Sequence, residues 1–235
     1  MTSRERPERK SQAPQLFRRF PATDQHGLVV QHQPHGDEEF AMYFREAGER
    51  LADTFSGRPS DDLLLVPWLF LMRHAVELTL KNTIRFAGAL RRRSDHGDDP
   101  TYPFDLAALA ARLGKNHRIA PLLTEVDHHL EALGVEKTPG DVFLTLTQLS
   151  QADPTGTAFR YYDPKRSPSS VGTHIDFPSL RAEIERALGM SASAIDVLED
   201  YASSLADSQE MREEFEAELE AELAAEFGPS QADYL

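Results

Sequence analysis

Ten consecutive apolar residues, Leu63 to Met72, run straight into Arg73-His74-Ala75-Val76-Glu77-Leu78-Thr79-Leu80-Lys81. Ten residues are too few to cross a bilayer as a helix. A helix that is apolar on every side instead marks a central, buried element that needs cover from all directions. The pattern predicts one helix over about 61–88, capped by Ser60 or Asp61. Pro67 either kinks it or sits in the first turn of a helix that starts near Val66.

The charged residues that follow fall on one side of the same helix. At about 100° per residue, Glu77 lies about 40° from Arg73, Lys81 about 80° and His74 about 100°. Arg73, Glu77 and Lys81 are spaced to pair at i,i+4, with the carboxylate between two cations. Two readings stand. The side faces water and carries a salt ladder, or it is a polar seam that meets other elements or a ligand.

The remaining periodicity is also helical. Phe40, Phe44 or Tyr43, Ala47 and Leu51 make a stripe over Asp37–Phe55. Leu106, Leu109, Ala110 and Leu113 make another over Asp105–Leu113, with Gly114 as its stop. Ile119, Leu122, Leu123, Val126, His129 and Leu130 predict a helix over about 118–133. The stretch 141–150 fits strand by its Thr, Val and Phe and helix by Val142, Leu146 and Leu149; helix is favoured. A last helical region opens at Pro178 on Leu180, Ile184, Ala187 and Leu188 and resumes through Ile195, Leu198, Tyr201 and Leu205. Residues 210–227 are Glu- and Ala-rich, helical by propensity and with a thin apolar face.

Residues 151–177 differ in texture. Asp153, Pro154, Gly156, Asp163, Pro164, Pro168 and Gly172 form turns. Ala158–Tyr162 and Thr173–Phe177 between them are predicted to be extended and to pair as a small hairpin. Arg160 stands beside Phe159, Tyr161 and Tyr162, a setting for stacking on bases, phosphate contacts or a salt bridge to Glu77. Arg73, His74, Glu77, Lys81, Asp153, Arg160 and Tyr161 are the candidate polar network or ligand site.

Taken in order, three segments resemble a known family. Arg73 to Lys81 is similar to the arginine–glutamate–lysine helix of HEPN-like proteins. Asp153-Pro154-Thr155-Gly156-Thr157-Ala158-Phe159-Arg160-Tyr161, and His174-Ile175-Asp176-Phe177 with Leu180-Arg181, are similar to downstream segments of bacterial members. The resemblance covers about 37–205. It implies an all-helical bundle, a homodimer, and a ribonuclease that needs no metal in a toxin–antitoxin or antiphage system, or else a non-catalytic member. Catalytic members carry Arg, then four to six residues, then His. Arg112 to His117 matches that spacing and supplies the candidate catalytic pair; Arg91 to His96 matches it in a charged loop. Where relatives place a His before Asp-Leu, this chain has Phe104. In such chemistry the His would act as general base on a ribose 2′-hydroxyl while the Arg stabilises the phosphorane.

Charge and composition limit the partners. The net charge is −14, with 25 Lys and Arg against 39 Asp and Glu. Residues 1–19 hold six basic and two acidic residues; residues 206–235 hold ten acidic and one basic. A field of this sign repels phosphate backbones over most of the surface and leaves room only for a local basic site. No cysteine is present, which excludes disulfides, thiolate metal sites and a cysteine nucleophile. His26, His32 and His35 lie in a polar stretch, and adjacent His128 and His129 diverge by about 100° on a helix, so neither set is expected to hold a metal. The expectation is a mainly α, HEPN-like bundle over 37–206 with a polar N-terminal tail (1–36) and an acidic, partly helical C-terminal tail (207–235). It is expected to be cytoplasmic, with no membrane span, no cofactor and no metal, and with a second copy of itself, RNA and a cognate antitoxin or defence protein as partners.

Overall fold

Proline has no N–H to give, and the first turn of a helix is where that loss is harmless. The long central helix starts at Leu65, so Pro67 lies in its first turn and causes no break. This is the second of the two arrangements that the sequence left open.

The structure, a computed structural model, describes residues 36–94, 105–161 and 174–227. All belong to the unit that runs from residue 34 to residue 235. Six α-helices follow in order: α1 (Asp37–Ala52), α2 (Leu65–Arg93), α3 (Leu106–Lys115), α4 (Ile119–Ala132), α5 (Gly140–Ala152) and α6 (Phe177–Phe227). A 3-10 turn, Pro59–Leu63, precedes α2. No strand occurs among the described residues. The architecture of the described residues is thus all-helical. The tail readings for 1–36 lie outside the described residues, apart from Gly36.

Helix α2 packs against α1, α3, α4 and α6, while α5 lies against α4 and α6. Trp68, Met72, Val76, Leu80 and Ile84 of α2 meet Leu113, Leu122, Leu123, Leu146, Leu188 and Leu198 in one core. Helix α1 comes close to α2 at Gly48, where a Cβ would stand 2.6 Å from the Met72 sulfur. Phe177 opens α6 and packs on Trp68 and Phe55, with ring centroids 5.0 Å apart in both pairs.

Burial on α2 departs from expectation, although Trp68 and Met72 are fully buried. The apolar run is only partly covered, with Leu63 78% and Val66 49% exposed. The charged half is buried: Arg73, Glu77 and Lys81 are 3%, 1% and 4% exposed. Hydropathy ranks side chains by their preference for burial, but the neighbours decide. α1, α4 and α6 pack on α2.

Three boundaries also differ. Gly114 lies inside α3, which continues to Lys115, because Asn116 rather than the glycine takes the C-cap. The two expected parts of the last region and residues 210–227 are one helix, α6, with Gly189 inside it. Ala158–Tyr161 is a turn and Phe177 already belongs to a helix, so no hairpin forms among the described residues. The reason is local. Asp153 Oδ1 accepts from the backbone N–H groups of Thr157 and Ala158 at 2.9 Å each. The Arg160 and Tyr161 N–H groups both donate to the Thr157 carbonyl at 3.1 Å. These groups are satisfied within the turn and are not offered to a ladder.

Candidate functional site

Four charges of opposite sign are buried together beneath the α3–α4 loop. Helix α2 supplies Arg73, Glu77 and Lys81, one turn apart on one face. Lys81 Nζ donates to Glu77 Oε1 at 2.7 Å, and Arg73 Nη1 donates to Glu77 Oε2 at 3.2 Å. Asp153, at the C-cap of α5, faces the same guanidinium, its Oδ2 3.2 Å from Arg73 Nε as an ion-pair contact outside hydrogen-bond alignment. Two cations and two carboxylates balance, and charges enter a protein interior on that condition. The seam reading of α2 is therefore the right one, and it meets other elements.

The turn after α5 is shaped to this guanidinium. Gly156 has φ +76°, and a Cβ there would come within 3.0 Å of Arg73 Nη1. Both the positive φ and the close approach call for glycine. Arg73 Nη2 donates to the Asp153 carbonyl at 3.3 Å and to the His117 carbonyl at 2.6 Å. One side chain of α2 thus ties down the α5 turn and the α3–α4 loop at once.

That loop brings His117 onto Glu77. Its Nδ1 lies 2.8 Å from Glu77 Oε1, while its side chain is 45% exposed. Burial raises the pKa of Glu77, but the hydrogen bonds from Lys81 and His117 outweigh it and hold the carboxyl below its ordinary value. An ionised carboxylate only accepts, so the proton of this contact sits on His117 Nδ1, which leaves Nε2 as the ring nitrogen for proton exchange. Lys115, which ends α3, and Arg118, next to His117, are both exposed. Arg160 is also exposed, and its Nε donates to the Gly156 carbonyl at 2.6 Å. None of these three cations pairs with a carboxylate among the described residues.

Arg112 and His117 are held by different carboxylates. Arg112 meets both oxygens of Glu125 through its two terminal nitrogens, at 2.7 Å for Nη1. Glu125 belongs to a second cluster. Arg91 Nη1 stands 3.1 Å from His129 Nδ1, and His129 Nε2 lies 3.9 Å from Glu125 Oε1. Burial raises the Glu125 pKa, but Arg112 and His129 bring it down to about 2. Arg91, expected in a charged loop, is a buried residue of α2; His96 lies outside the described residues.

His74, on the same face, lies off this network. Its ring packs edge-on to Phe44 at 4.3 Å and stacks on Phe70 at 6.0 Å. Burial lowers its pKa against the attraction of Glu77, and Arg160 adds to the lowering. Tyr161 is 68% exposed. Spacing could not reveal the Glu77–His117 contact, because forty residues separate the partners. The Arg91–His129–Glu125–Arg112 cluster left no signal beyond His129 on the apolar face of α4. Among the described residues no group of three or more His, Asp or Glu is placed to hold a metal ion. No helix there is long and apolar enough to cross a membrane. Compared with family models, curated proteins and solved structures, the chain finds no match.

Proposed function

We propose that this chain is a HEPN-like endoribonuclease in which His117 is the general base. The observation that carries the reading is a half-exposed imidazole whose Nδ1–H is held by a buried carboxylate. Glu77 orients the ring, sets its tautomer and favours the imidazolium that forms when Nε2 takes a proton. The substrate proton comes from a ribose 2′-hydroxyl, and its oxygen attacks the adjacent phosphorus. The P–O5′ bond breaks, the 5′-oxygen leaves as a hydroxyl by taking a proton from solvent, and a 2′,3′-cyclic phosphate results. Lys115, Arg118 and Arg160 supply positive charge for the phosphorane in a chain of net charge −14. The scheme uses protein groups alone and so runs without a metal. Arg73 is a positioning residue here: it is buried and holds the His117 carbonyl.

The uncovered apolar start of α2 and the turn before it, with Val66 and Leu63 exposed, suit a homodimer interface. A toxin or antiphage role, with a cognate inhibitor, follows from the resemblance alone.

A second reading, a non-catalytic binding and dimerisation module, rests on a different observation. Arg112, the arginine that the family spacing selects, is bound to Glu125 by both terminal nitrogens. One experiment separates the two. The purified protein is incubated with total RNA in EDTA, its mass being followed by light scattering. Cleavage with cyclic phosphate ends is expected, and His117→Ala should lower the rate by about 100-fold or more, the usual range for a general base. RNA carrying 2′-O-methyl groups should resist. Intact RNA after prolonged incubation leaves the binding module as the better reading, whereas a His117→Ala protein as active as the parent removes His117 as the general base.

A further inference from the structure

Beyond Leu205 the last helix leaves the core. Leu198 is fully buried, and Tyr201, Ala202 and Leu205 are partly buried against the same cluster. Gln209 Nε2 still reaches the Arg93 carbonyl at 3.5 Å. From there α6 runs on to Phe227, exposed wherever its side chains are described. This part nevertheless carries Met211, Phe215, Leu219 and Leu223, which are 63%, 64%, 45% and 48% exposed.

Their spacing is regular. Four residues turn a helix by about 400°, so each member lies about 40° on from the last, and the four cover a strip about 120° wide. That is the width of face that a helix ordinarily buries. Glutamates line both edges. Glu214, Glu218 and Glu222 each precede a member of the strip by one residue, and Glu216 and Glu220 each follow one. A step of one residue is about 100°, so the two sets form opposite rails. Within each rail the charges stand at i,i+4, where like charges destabilise an isolated helix. Residues 206–227 hold nine acidic residues and one basic one, Arg212.

We propose that this strip is the docking site for a basic amphipathic helix of another protein. That helix would carry apolar residues along one face and Lys or Arg along both edges of it. Charge decides the occupant. A second copy of α6 would set acidic rails against acidic rails, the arrangement that coiled coils use to reject a partner. Basic rails would relieve the repulsion within each glutamate row and cover the apolar strip at the same time. The proposal stands on α6 alone and does not depend on the nuclease reading.

The test uses the full chain and three synthetic helical peptides of one length. The first has Leu every fourth residue between Lys rails, the second replaces Lys by Glu, and the third keeps Lys but replaces Leu by Ser. The first is expected to bind one to one by calorimetry, and more weakly as salt rises. The second should not bind, and the third should bind about tenfold more weakly than the first, about 1.4 kcal/mol. The double variant Phe215→Glu, Leu219→Glu should lose about tenfold towards the first peptide. Both sites are exposed, so the fold should survive, and circular dichroism checks it. Equal binding of the first and third peptides would reduce the effect to bare charge and overturn the docking site. So would an unaffected double variant, or a dimer of the parent chain that the double variant dissolves.

Discussion

Glu77 is the residue on which the cluster turns. It accepts from Lys81 and Arg73, orients His117 and is 1% exposed. Replacing it by Ala would leave two buried cations facing one remaining carboxylate, Asp153. Breaking one side of a buried ion pair costs about 3–5 kcal/mol, far above the worth of a surface pair. Urea unfolding of Glu77→Ala should show a loss in that range, and a loss below about 1 kcal/mol would mean that the cluster relaxes into water. The i,i+4 spacing alone made the Arg73–Glu77–Lys81 pairing legible. Whether those charges faced water or protein was not legible, because amphipathic spacing is the same in both cases. The answer lies in Asp153 and His117, which the chain returns to Arg73 and Glu77 from 80 and 40 residues away.

At the scale of elements, the helices were legible wherever an apolar period of 3.6 held. The α5 segment, ambiguous by composition, is helical as favoured, and Asp105 caps α3 through its carboxylate. The expected hairpin is not seen among the described residues, where side-chain hydrogen bonds within the Asp153 turn compete with strand pairing in a way that propensity scales do not register. The continuity of α6, not its helical character, was hidden for another reason. Its apolar face thins after Leu205, and intrinsic propensity carries the helix on. A chain ending at Ala206 should therefore keep nearly the melting temperature of the parent. Differential scanning fluorimetry tests this. A drop of several degrees, the size that follows from about 1–2 kcal/mol, would show that the distal part of α6 supports the core.

For the molecule as a whole, acid should be destabilising, and the sign follows from the two carboxyls. Glu125 is held at about 2 against an ordinary 4.5, and Glu77 is lowered too. A carboxyl with a depressed folded pKa contributes stability above its unfolded value and loses it as pH falls through the folded one. The urea midpoint should hold near neutral pH and fall from about pH 4.5 towards about pH 2. Glu125→Gln should be less stable than the parent at pH 7 and converge with it at pH 2; parallel curves would remove Glu125 from the account. Local pattern by itself determined much of this protein: its mainly helical character, most of its helical segments and the charged ladder on α2. Those follow from interactions within a few residues, which repeat with the period of the helix. Tertiary structure decided which part of α2 is buried, that Asp153 and Gly156 close on Arg73, and that His117 rests on Glu77. Such contacts depend on where distant segments come to lie, and no period in the sequence records that.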